Sequence, residues 1–208
     1  MTDVTIEARL ERLLDRTEIC ALVRYERHCR AQRAFPEMIA CSVPDAPVRT
    51  TWFDGTVEEF AAASQKKMTT GGSQAKHWIM PARLEIKDGR ALVESPAVIF
   101  DRLTFDGVEF DTFQYCRFVS RVIKTPGGWK LGSFEGIYQR DQMQAVDPRN
   151  PLPVDWNVIK TLRPSYKFIG YTQVKRGYKL NPELLGDDRP DLLEAFYARE
   201  QKWLDTGQ

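Results

Sequence analysis

The chain holds only two histidines, His28 and His77, so few groups can take and return a proton near neutral pH. His77 opens a β-rich stretch whose following residues point to a core. On its residues alone such a histidine reads first as a half-buried ring with satisfied nitrogens, and second as a general base. Asp101 is the acid most able to serve it. Val93, Ser95, Ala97, Ile99 and Asp101 share one face of a strand by their alternation, and that face is small and apolar, as a cavity wall is. If the strand carrying His77 lies beside it, Asp101 can accept the imidazole N–H; otherwise it is a solvated aspartate near a turn. On the next strand Phe113, Tyr115 and Arg117 share one face and Phe110, Gln114 and Phe118 the other. Parity does not say which is inside, so Tyr115 and Phe118 both stand as candidate binding residues.

Other chemistries lack their signatures. No H-x-x-x-H or H-E-x-x-H pair occurs, and Cys20, Cys29, Cys41 and Cys116 match no zinc or C-x-x-C spacing; they read as small core residues in a reducing compartment. There is no G-x-G-x-x-G and no G-x-S-x-G. Thr69 to Ser73 is not a phosphate loop, because the Gly-Lys-Ser/Thr that would follow is missing.

The elements that must position these residues follow from periodicity. Ile6, Leu10, Leu13 and Leu14 fall on one helical face, and Asp15 with Glu18 reads as a capping pair that starts or re-registers a helix running to about Gln32. A short helix is expected around Glu37 to Cys41, a strand over Val48 to Phe53, and a helix over Val57 to Met68 that Thr69-Thr70-Gly71-Gly72 stops. Strands are then expected over Lys76–Ile86, Arg90–Leu103, Val108–Lys124 and Trp129–Gln142. Asp88-Gly89, Asp106-Gly107 and Pro126-Gly127-Gly128 separate them, giving an antiparallel meander covered by the early helices. After Ala145 the prolines argue against a sheet. The aromatics argue for order, and a helix is expected over Asp191–Leu204.

With 208 residues, 42% hydrophobic and 28% charged, the chain can build a core, and its net charge of +1 offers no field to gather nucleic acid. No apolar run is long enough to span a membrane, and the first residues lack a signal-peptide core, so a cytoplasmic protein is expected.

The order helix, helix, strand, helix, curved meander resembles the SnoaL-like branch of the nuclear transport factor 2-like superfamily, an α+β cone-shaped barrel. The likeness is carried by Asp15-Arg16-Thr17-Glu18-Ile19 with Arg24-Tyr25, His77 with Arg83-Leu84-Glu85-Ile86, Ala91-Leu92-Val93-Glu94-Ser95, and Gly128-Trp129-Lys130-Leu131 ending in Tyr138-Gln139-Arg140-Asp141. It covers about residues 5–148, so the expected division is a cone domain over 1–148 and an extension over 149–208. The resemblance implies a mostly apolar ligand, buried proton transfer, and usually no metal or organic cofactor. It makes His77 the catalytic base. It matches Tyr25 and Tyr138 to pocket positions where a phenol could serve as acid or oxyanion donor, and Trp52 to an aromatic wall, beside Ile99, which strand alternation places on the cavity face.

The sharpest departure is Arg30, at the position where relatives carry the aspartate that orients the base. An arginine there either faces solvent or turns inward to bind a phenolate, carboxylate or enolate oxygen. The expected activity is a cofactor-independent lyase acting by dehydration or by retro-aldol loss of formaldehyde on a hydroxylated aromatic or polycyclic compound. A non-catalytic binding domain and an isomerase- or cyclase-type proton-transfer enzyme are the alternatives. The resemblance also implies a homo-oligomer, trimer before dimer, formed over the outer face of the sheet.

Overall fold

A computed structural model describes residues 5–69 and 75–208. Helix α1 (Ile6–Gln32) is unbroken. The Thr5 side chain accepts from the Ala8 amide at its start, and Arg33 closes it with a left-handed backbone. The expected cap at Asp15 is not one. The Asp15 carboxylate instead accepts from Trp129 Nε1 at 2.8 Å and Lys124 Nζ at 3.0 Å, tying the middle of the helix to the sheet. Helices α2 (Phe35–Ala40) and α3 (Val57–Thr69) follow, separated by short strands β1 (Pro47–Arg49) and β2 (Asp54–Thr56). The single strand expected over Val48–Phe53 is thus a hairpin reaching to Thr56. The stop after α3 at Thr70 to Gly72, with Ser73, lies outside the described residues.

The long strands are β5 (Arg90–Phe105) and β6 (Val108–Thr125), joined by Asp106-Gly107 with both residues at positive φ, the geometry of a two-residue hairpin turn. Two expected strands are each interrupted. Pro81 separates β3 (Lys76–Ile79) from β4 (Arg83–Lys87), and Gly132-Ser133 separates β7 (Gly128–Leu131) from β8 (Phe134–Ala145). The sheet order is β2-β1-β8-β6-β5-β3, with β4 beside β5 and β7 beside β6. All pairs are antiparallel except β1 with β8, so the sheet is mixed at that end.

The sheet is curved and open, and α1 and α3 fill its concave side. Ile19 and Val23 of α1 bury against Val93 and Val122, and Phe60 of α3 joins Phe118, Phe134 and Tyr138. The C-terminal segment carries more structure than its proline content suggests. It forms α4 (Trp156–Ile159), a 3-10 turn at Pro164–Tyr166, α5 (Lys167–Lys175) and α6 (Pro190–Thr206). Tyr166 and Leu184 enter the main core, so this segment packs as part of the same body. Helix α6 lies on the outer face, where Phe196 meets Val119 and Ile137 and the Glu200 carboxylate accepts from Arg121 Nε and Nη2 at 2.7 and 3.0 Å. The chain's own helix therefore covers part of the surface where a partner subunit was expected. Cys29, Cys41 and Cys116 are buried free thiols, as a core role requires, and Cys20 is half-buried.

Candidate active site

Strand register builds the floor of one cavity. His77 sits opposite Ile99, Ile99 opposite Gln114, and Gln114 opposite Asp141, so four neighbouring strands contribute one row of side chains. Asp101 lies two residues beyond Ile99 on the same face. Helical spacing supplies the roof: Arg27 and Arg30 one turn apart on α1, and Phe60, Ser64 and Lys67 on α3. The loop after β1 adds Thr50, Thr51 and Trp52, β8 adds Phe134 and Tyr138, and α5 adds Ile169 and Gln173.

The cavity measures about 60 Å³. A cavity that accepts a benzene ring measures about 150 Å³. The chamber's lining joins apolar side chains, Trp52, Phe60, Ile99 and Phe118 among them, to Arg27, Arg30, Lys67 and His77 and one carboxylate, Asp101.

Buried polar atoms normally find partners. Seven exceptions lie around one chamber: among the described residues Arg30 Nε and Nη1, His77 Nδ1, Thr50 Oγ1, Ser64 Oγ, Gln114 Oε1 and Gln173 Oε1 have no hydrogen-bond partner. Arg30 is 5% exposed, which settles its direction as inward. Its guanidinium lies 5.0 Å from the Phe60 ring. Burial first, and then the neighbouring Arg27, push its pKa down to about 10, against the opposing pull of Glu26 and Asp101. Arg27 is held differently: Glu26 grips it through two hydrogen bonds, and its guanidinium lies 4.1 Å from the Phe134 ring.

His77 is half-buried as a residue, but its Nδ1 is sealed from solvent. Burial first, then Arg30, Arg27 and Lys76, hold its pKa well below the ordinary imidazole value. The ring is therefore neutral at pH 7. The expected hydrogen bond from His77 to Asp101 is absent; Asp101 lines the cavity, but the charges acting on the imidazole are cations.

This has a measurable consequence for stability. Below about pH 6.5 the unfolded chain protonates this histidine and the folded chain does not, so the unfolded state binds more protons. Stability is expected to fall with decreasing pH in that range by up to about 1.4 kcal/mol per pH unit from this group. Urea titrations of wild type and His77→Gln should differ in that slope; parallel slopes would place the ring in water.

Tyr138 is 2% exposed, and its hydroxyl accepts from the Thr51 amide at 3.0 Å. Burial, with the adjacent Cys116, raises its pKa, so it remains a neutral phenol whose hydrogen is available as a donor. Trp52, Ile99 and Phe118 line the cavity as expected. Two expectations fail. Tyr25 is 51% exposed on the outer side of α1, because the buried face of that helix runs through Ile19, Val23 and Arg30. Tyr115 falls on the outer face of β6, where Arg140 lies over its ring at 4.9 Å.

Reading by residue type missed Arg27 and Lys67. Lys67 Nζ stands 4.1 Å from the Trp52 ring and 5.2 Å from Tyr178. Burial, then Arg176 and Arg30, lower its pKa to about 7. The signal that could have found both was a cation sitting in an otherwise apolar helical stripe: Ile19-Val23-Arg27-Arg30 on α1 and Val57-Phe60-Ser64-Lys67 on α3. No such signal marked Ile169 or Gln173.

Fold and site together define a class: a cone-shaped α+β domain with a chamber of mixed polar and apolar lining between a curved sheet and its helices. The sequence profile of the SnoaL-like domain matches residues 11–135, and the chain belongs to that family. It is similar to Pea pathogenicity protein 2 of Fusarium vanettenii, 31% identical over 176 residues, covering 79% of this chain and 75% of that one. Among solved structures it resembles a putative scytalone dehydratase from Novosphingobium aromaticivorans, with a TM-score of 0.54 at 17% identity over 69% of this chain and 97% of that one. It also resembles the hexachlorocyclohexane dehydrochlorinase LinA-type3 from Novosphingobium barchaimii, with a TM-score of 0.56 at 15% identity over 70% and 99% of the two chains. At these identities the structural likeness is one of fold. No helix among the described residues is long and apolar enough to cross a membrane.

Proposed function

We propose that this protein is a proton-transfer enzyme of the lyase type whose substrate presents an anionic oxygen to Arg30 and a carbon-bound proton to His77. The observation that carries the reading is the pairing of a neutral, sealed imidazole with a buried guanidinium that has two unpartnered nitrogens, both lining one chamber. A guanidinium is the group that matches a carboxylate, phenolate or enolate oxygen. The chamber's volume limits the enclosed part of the substrate to a few heavy atoms, namely its acidic end.

The sequence of events follows from the charges. In the free protein Arg30 opposes protonation of His77. An anionic oxygen bound to Arg30 offsets that charge, so the imidazole becomes a stronger base only when the site is occupied. His77 then takes the proton from the carbon beside the anionic group, and Arg30 holds the negative charge that moves onto oxygen. The electron pair expels a β-hydroxyl, which takes the same proton and leaves as water. Tyr138 contributes a neutral hydroxyl to the same wall.

The reading is tested by incubating the protein with short β-hydroxy carboxylates and hydroxylated phenols in deuterated water. Deuterium wash-in at the acidic carbon, with or without loss of water, is the expected result. Saturable binding of such anions with no exchange at carbon would reduce the site to a binding pocket, and no binding at all would overturn the assignment of Arg30.

A further inference from the structure

The first turns of α1 extend away from the rest of the molecule and carry their apolar side chains on the wrong side for the protein's own core. Ile6, Leu10, Leu13 and Leu14 are 82, 54, 59 and 53% exposed. They repeat at the spacing of a helix–helix seam, continued by Thr17 and Ala21. Further along the same helix the buried residues Ile19, Val23 and Arg30 lie on the opposite face. The stripe therefore points away from the sheet, and nothing among the described residues covers it. The Thr5 side chain caps the helix by accepting from the Ala8 amide.

The charges beside the stripe are sorted by sign. With about 100° between successive residues, Glu7, Glu11 and Glu18 fall along one flank and Arg9, Arg12 and Arg16 along the other. All six are exposed, and Glu7, Glu11, Arg9 and Arg12 hold no ion pair among the described residues. Two copies of such a helix laid side by side and pointing the same way bring the acidic flank of each against the basic flank of the other. Laid in opposite directions they bring acid to acid and base to base.

We infer that this stripe is a self-association surface, on which a second copy of this chain docks its own α1 in parallel, with Leu10 meeting Leu10 and Leu13 meeting Leu13. The twofold axis then runs along the helices, and the two cavities, on the far side of α1 from the seam, stay independent. The seam spans only about three turns, so the dimer depends on concentration.

The test is the solution mass across protein concentrations up to about 100 µM. The expected result is a rise from 24.0 kDa toward twice that value. It should be lost in the double variant Leu10→Glu/Leu13→Glu, whose unchanged circular dichroism would show that the fold survives. It should be lost again in Glu7→Arg/Glu11→Arg, and restored when that variant is mixed with Arg9→Glu/Arg12→Glu. In a Cys20→Ser background, Ile6→Cys should cross-link to itself under mild oxidation, as only a parallel pair allows. A mass that stays at one chain throughout, a dimer that survives the leucine substitutions, or a dimer in which the Ile6→Cys copies fail to cross-link would each overturn the proposal.

Discussion

His77→Gln is expected to lower the rate of proton exchange at the substrate carbon by at least about 100-fold while leaving anion binding within a few-fold of wild type. Glutamine keeps polar bulk in the row formed with Ile99 and Gln114, but it cannot take a proton near pH 7. Arg30, to which the proposal assigns the binding step, is untouched. The complementary measurement is the pH titration of the His77 ring by NMR, with and without a bound anion. Its pKa is expected to start well below the ordinary value, because of burial and the adjacent Arg30 and Arg27, and to rise on binding as the anion offsets Arg30. A titration that ignores the ligand would separate the two residues. An exchange rate unchanged in the variant would move the base elsewhere, with Lys67 next in line.

Arg30→Met should move stability and function in opposite directions. A buried guanidinium with two unpartnered nitrogens is a cost to the folded state, and its pKa near 10 reports the same opposition between burial and charge. Methionine fills similar space against Phe60 without that cost, so the variant is expected to be more stable by roughly 1–3 kcal/mol. Anion affinity should fall by about 10-fold or more, the loss expected when a charge-assisted hydrogen bond is removed. Denaturant midpoints and ligand titrations read both effects. A less stable variant would mean that Arg30 serves the fold, and unchanged affinity would mean that Arg27 or Lys67 holds the anion. The expected pattern is that of a residue kept for its site at the expense of stability.

The residues that build the sheet announced themselves, because strand alternation and the turns at Asp88-Gly89 and Asp106-Gly107 are local signals. The same alternation placed Ile99 and Asp101 on one face with no knowledge of any partner strand. It could not choose a face for β6, since Tyr115 and Phe118 are equally suited to either side until β5 and β8 fix the direction of curvature. Tyr25 misled for a related reason. Tyrosine suits a pocket wall and a helix surface alike, and the choice rests on which side of α1 meets the sheet.

What the amino-acid order alone determined, then, was the set of elements, their α+β sequence and the short list of groups, His28 and His77, that titrate near neutral pH, because backbone propensities and side-chain acidity act over a few residues. Only the tertiary structure decided the character of the chamber. Arg30 becomes a buried guanidinium with unpartnered nitrogens, and His77 an imidazole held below its ordinary pKa by burial and nearby cations, through distances between α1, α3 and β3 that no local pattern encodes. The closing of the chamber to about 60 Å³ has the same origin. Ile169 and Gln173 arrive there from a segment more than sixty residues away from His77, brought in by packing of α5 against the end of the sheet. Electrostatics and volume depend on what lies across space, and so they waited for the fold.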